Sequence, residues 1–129
     1  MTLEQYNSFC ASLPHTSPVV QWGGSHVWKV GAKMFAIFSY PDIGGTGITF
    51  KTSDLSYELL KEQKGCRPAP YLASRGMKWI QCTSTETLKT KDLKIYLAES
   101  HRMIFEGLPK KQKSLLQITA DSFVSAVRS

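Results

Sequence analysis

Between Trp22 and Phe50 the chain reads WGGSHVWKVGAKMFAIFSYPDIGGTGITF, short runs of Val, Ile, Phe and Trp cut by Gly and Pro at close intervals. β-Branched and aromatic residues suit a pleated surface, and the interruptions leave no window long enough for a helix. The segment therefore predicts consecutive antiparallel strands near Val19–Trp22, His26–Val30, Lys33–Tyr40 and Gly47–Lys51. Val30-Gly31-Ala32-Lys33 has the length of a two-residue hairpin, with Gly31 taking the positive φ that its first central position requires. That turn sets Val30 opposite Lys33 and Trp28 opposite Phe35, and places Lys29 on one face with Val27, Met34 and Ala36. Both faces of the hairpin are then largely apolar, and the lysine stems must lie along apolar surface.

Helices are expected on either side. Thr2 and Gln5 stand at capping-box spacing ahead of a stripe made by Leu3, Tyr6, Phe9, Cys10 and Leu13, and Pro14 to Pro18 reads as a linker. Ser53 or Asp54 caps a second helix inserted among the strands, which stops at Lys64-Gly65. Cys66-Arg67-Pro68-Ala69-Pro70 is held extended by its prolines. Tyr71-Leu72 and Lys78–Cys82 predict a last strand pair around Ser74-Arg75-Gly76. A third helix spans Thr90 to Glu106, ended by Gly107 and Pro109, and a final helix runs from Ser114 to Val127. This order of elements predicts an α+β fold: an antiparallel sheet of five to six strands with an N-terminal helix, an inserted helix and C-terminal helices, covered mainly on one face.

A chain of 129 residues without repeats or low-complexity tracts is read as a single domain, 1–129, large enough for a core that needs no metal or disulfide. No apolar run has the length of a membrane span and no signal-peptide pattern opens the chain. Three scattered cysteines, Cys10, Cys66 and Cys82, fit a reducing cytoplasm. The net charge of +6 is uneven. Residues 1–60 hold Lys29, Lys33 and Lys51 against four acids, whereas residues 61–129 hold thirteen Lys and Arg against six. Such an excess either keeps a surface solvated or steers the molecule towards a polyanion.

Five elements in order carry a resemblance: WG-x₄-WKVGAKMFA from Trp22, ITFKTSD from Ile48, RPAPYL from Arg67, KWI from Lys78 and LPKK from Leu108. Together they resemble the MmcQ/YjbR family, small bacterial proteins with a CyaY-like α+β fold described as "double wing" DNA-binding proteins. The resemblance implies that fold and a nucleic-acid partner met through phosphates. It departs from the family pattern at Ser74-Arg75-Gly76-Met77, where a basic pair usually precedes the Trp. The iron binding that a CyaY-like fold brings to mind needs an acidic helix face, and the first helix offers only Glu4.

The candidate phosphate contacts are Lys33 near the first turn, Arg67, Arg75 and Lys78 around the second hairpin, and Lys110, Lys111 and Lys113 after the third helix. Each has a plainer role available: lysines that shield strand edges or favour a helix C-terminus, and an arginine that binds loop carbonyls. Trp22, Trp28 and Tyr71 are candidates for stacking or for lining a pocket, which is the alternative reading as a small anionic-ligand or protein-interaction module. Tyr71 and Trp79, read as strand aromatics, belong more naturally to a core. Chemistry has little to stand on. His15, His26 and His101 lack metal-ligand spacing, Gly44-Gly45-Thr46-Gly47 lacks the Lys-Ser/Thr of a phosphate loop, and Cys66 lacks a neighbouring base. A non-enzymatic binding module without cofactor is the expectation.

Overall fold

A computed structural model describes residues 1–116 of the chain. Its elements are α1 (Leu3–Ser12), β1 (Thr16–Gln21), β2 (Ser25–Val30), β3 (Lys33–Ser39), β4 (Gly47–Lys51), α2 (Asp54–Leu60), β5 (Cys66–Pro68), β6 (Trp79–Cys82) and α3 (Thr90–Glu106). The fold is α+β. All six strands pair antiparallel in the order β1-β2-β3-β4-β6-β5. The chain is helical again from 110, and the expected final helix lies mostly outside the described residues.

The local chemistry accounts for most of the boundaries. Thr2 and Gln5 form the reciprocal capping box at the start of α1, and the Ser53 hydroxyl accepts from the Ser56 amide to open α2. The supposed linker after Pro14 is already strand by Thr16, and Pro18 is tolerated there because β1 is the outermost strand. α2 ends at Leu60, earlier than expected; Gly65 follows in the left-handed region at φ 78°, where a Cβ would collide with the Ser84 hydroxyl. The last strand pair also differs. Tyr71 sits at φ 68° and leads into a 3-10 turn over Ala73–Arg75, so no strand forms at Tyr71-Leu72. Cys66–Pro68 pairs with β6 instead.

α1 and α3 cover one face of the sheet. Beneath them lie Tyr6, Cys10, Trp28, Val30, Phe35, Ala36, Phe38, Ile48, Phe50, Ile80, Leu93 and Leu97. Trp28 donates its Nε1–H to Asn7 Oδ1 at 2.8 Å, and Tyr6 donates its hydroxyl to the His26 carbonyl at 2.8 Å. The expected pairing of Trp28 with Phe35 fails because the register shifts between Trp28 and Lys29: Trp28 pairs with Ala36 and Lys29 with Met34. Phe35 is the extra residue, a β-bulge, and the bulge turns Phe35 and Ala36 both into the core.

The bulge leaves a gap in the next ladder, which α3 fills. Ala36 pairs with Phe50 across β3 and β4, so the Phe35 carbonyl and Lys51 amide would come next. Ser100 stands between them. Its hydroxyl donates to the Phe35 carbonyl at 2.6 Å and accepts from the Lys51 amide at 2.9 Å. Ser100 is fully buried, so a helix side chain completes a sheet that cannot close on itself.

Candidate functional site

The opposite face carries no helix among the described residues, and a pocket of about 640 Å³ opens on it. That volume falls within the range of small-molecule sites. The floor is built by strand alternation. Met34, Ile37 and Ser39 of β3, Thr49 of β4, Gln81 of β6 and Arg67 of β5 all project to this side, while their neighbours fill the core. Arg67, Gln81, Thr49 and Ile37 form one row, each paired directly with the next.

The row is held in place by a polar contact. Arg67 Nε donates to Gln81 Oε1 at 2.8 Å. Gly47 makes room for it, since a Cβ there would lie 3.1 Å from the Gln81 amide carbon. Nε is thereby occupied, and the terminal guanidinium nitrogens of Arg67 have no protein acceptor among the described residues. Arg75, from the 3-10 turn, lines the same pocket, as does Asp42 from the β3–β4 loop. The cationic donors therefore outnumber the acid.

Three aromatics form the rim: Trp22 from the β1–β2 turn, Tyr40 at the end of β3, and Tyr71 from the β5–β6 connection. Trp22 is 64% exposed, Tyr40 55% and Tyr71 79%, so more than half of each residue meets solvent. Trp22 and Tyr71 also hold left-handed backbone at φ 50° and 68°, a region that costs a side-chain-bearing residue on the order of 1 kcal/mol. Two strained aromatics on opposite walls of one pocket are hard to explain by packing, because neither ring is buried.

The sequence candidates thus divide. Trp22, Tyr71, Arg67 and Arg75 come together in the pocket. Trp28 does not, since the core takes it, and Trp79 is likewise buried at 1% exposure. Tyr71, expected in a core, is exposed because the strand meant to carry it does not form. The lysines stay outside the pocket. Lys78 lies 4.9 Å over the Tyr57 ring and 3.9 Å from Glu58, whose carboxyl is held below its ordinary range chiefly by a hydrogen bond from Lys61.

Strand direction brings Lys33, Lys51 and Lys78 to one end of the sheet, because Lys51 pairs with Trp79 beside Lys78 and the Lys33 turn lies at the same end of β3. Leu108 and Gln112 pack against the Gly31 turn, which sets the segment carrying Lys110 and Lys111 at that end too. Lys113 Nζ donates to the Glu106 carbonyl at 3.1 Å, closing the end of α3. Thr49, Tyr40 and Gln81 were not among the candidates. The available signal for Thr49 and Gln81 is that each is the odd polar residue in an apolar strand, ITF and WIQC.

Cys66 has a partner that is not a base. It pairs with Cys82 across β5 and β6, with the two sulfurs 3.5 Å apart. No helix among the described residues is long and apolar enough to cross a membrane.

The fold agrees with known proteins. The crystal structure of Deinococcus radiodurans protein DR2400, family-model domain DUF419, superposes with a TM-score of 0.75 at 21% identity, over 90% of this chain and 88% of that one. No curated protein matches the chain. The YjbR family model matches residues 11–103, the whole sheet and all but the end of α3, and on that match the chain belongs to the YjbR family.

Proposed function

We propose that the protein is a non-enzymatic binding module that takes single-stranded nucleic acid on the open face of its sheet. The observation that carries this reading is the pocket itself, where exposed Trp22, Tyr40 and Tyr71 surround Arg67 and Arg75. Aromatic faces stack on any base, and guanidinium groups meet phosphate oxygens in bidentate geometry. The lysine-rich end of the sheet supplies further charge along a backbone leaving the pocket. Duplex DNA fits less well, because no α-helix among the described residues presents side chains to a groove from this face.

A pocket of this volume also supports a second reading, a small anionic aromatic ligand held by the same side chains. Fluorescence anisotropy with labelled single- and double-stranded oligonucleotides, titrated with salt, separates the two. Single-strand binding weakens log-linearly with salt, and Arg75→Ala lowers the slope by about 0.7 for one lost phosphate contact. Binding of a mononucleotide that saturates at one site, with no gain for longer strands, selects the second reading. No binding of either at low salt refutes both.

A further inference from the structure

We infer that Cys66 and Cys82 form a thiol–disulfide exchange site that takes small disulfides, with Cys66 as the attacking sulfur and Cys82 as the resolving one. The placement is specific. Cys66 and Cys82 are direct cross-strand partners, and the Thr83 amide bonds to the Gly65 carbonyl just beyond them at 2.8 Å. That bond identifies Cys66 and Cys82 as a non-hydrogen-bonded pair, in which facing Cα atoms stand about 4.5 Å apart. This lies at the near end of the distances a disulfide spans. The sulfurs, at 3.5 Å, need approach each other by only about 1.5 Å to bond.

The two thiols differ in the way that exchange requires. Cys66 is half-buried on the edge strand, where a small disulfide can reach it, while Cys82 is buried at 4% exposure. The hydrogen bond that the Cys82 thiol gives the Cys66 sulfur favours the Cys66 thiolate and pushes Cys82 up, reinforced by burial and by the charge of that thiolate. Cys10 is fully buried in the core with its thiol pushed up to about 12 by burial, so it does not compete.

The steps balance. The Cys66 thiolate attacks one sulfur of a disulfide such as oxidised glutathione, forming a mixed disulfide and expelling one glutathione thiolate. Cys82 then gives up its proton and attacks the Cys66 sulfur, and the second glutathione leaves as thiolate. The protein loses two thiol hydrogens and the oxidant becomes two thiols. The product staples β5, a strand of three residues, onto β6. Because Arg67 follows Cys66 and its partner Gln81 precedes Cys82, the staple lies one residue along the strands from the pocket floor, on the core-facing side of the sheet.

The test uses the full chain incubated in oxidised glutathione, then alkylated and mapped by mass spectrometry. Reactive thiols, counted after denaturation, fall from three to one, and the cross-linked peptide joins Cys66 to Cys82. Cys82→Ser traps a glutathione adduct on Cys66, whereas Cys66→Ser leaves Cys82 unmodified. The inference is overturned if all three thiols survive in the native protein, or if the bond found involves Cys10 or a second chain. These readouts do not depend on nucleic-acid binding, so the site and the proposed function can fail separately.

Discussion

Removing the Ser100 hydroxyl is the sharpest test of how this sheet is held together. In Ser100→Ala the Phe35 carbonyl and the Lys51 amide both lose their partner, at a position with no access to solvent. A buried backbone group left without a hydrogen bond costs roughly 1–3 kcal/mol. Two such groups, offset by about 0.5 kcal/mol of improved helix propensity and by relief from burying the hydroxyl, leave a net loss of about 2–3 kcal/mol. For a domain of this size that lowers Tm by roughly 8–12 °C. Urea denaturation followed by circular dichroism measures the loss, and native-state hydrogen exchange localises it, since the Lys51 amide should exchange faster while amides in β2 hardly change. A loss below about 0.5 kcal/mol with Lys51 still protected would refute the reasoning. It would mean that β3 and β4 close directly once the hydroxyl is gone, and that the bulge does not need the helix.

Four further outcomes follow from the same geometry. Gly47→Ala places a methyl against the Gln81 amide and displaces the Arg67 contact, so oligonucleotide affinity should fall several-fold with Tm lowered by only a few degrees, read by anisotropy and thermal melting. Tyr71→Gly removes an exposed ring from left-handed backbone, so stability should stay within about 1 kcal/mol while binding weakens by about 1–3 kcal/mol, the worth of one stacked base. Gly31→Ala combines φ +60° with a Cβ 3.2 Å from Leu108 Cδ1 and should cost about 1–2 kcal/mol in urea denaturation. His101 is held below its ordinary range chiefly by burial, reinforced by nearby His15 and opposed by its contact with the Pro14 carbonyl. Its unfolded form therefore binds the proton more readily, so this contribution is complete above about pH 6.5 and is lost as the pH falls through the folded-state value. His101→Gln should flatten that part of the stability profile.

The elements legible in the sequence were those with local causes. The capping box of α1, the Gly31 hairpin and the stop of α3 before Gly107 and Pro109 each rest on residues within a few positions of one another, and local chemistry decides them. What escaped depends on distant partners. The bulge at Phe35 is invisible in KMFAIFS, because the gap it leaves is filled by Ser100 from 65 residues away. Tyr71 read as a strand aromatic because RPAPYL is extended as far as its prolines; only the pairing of Cys66–Pro68 with β6 shows where that strand stops. The pocket was half legible. Trp22, Tyr71, Arg67 and Arg75 stand out as types, but their convergence depends on three loops and four neighbouring strands meeting on one face. Trp28 is the converse case, a residue of the right type whose indole has a partner in Asn7 instead.

The two outermost strands share a feature with consequences for the protein at high concentration. β1 contains Pro18 and β5 ends in Pro68, so each margin of the sheet lacks a donor where an incoming chain would need one. Strand-upon-strand growth of a stack of these molecules is thereby disfavoured at both margins. The open, aromatic-rimmed face can therefore stay available to a ligand without the sheet becoming a template for its own copies.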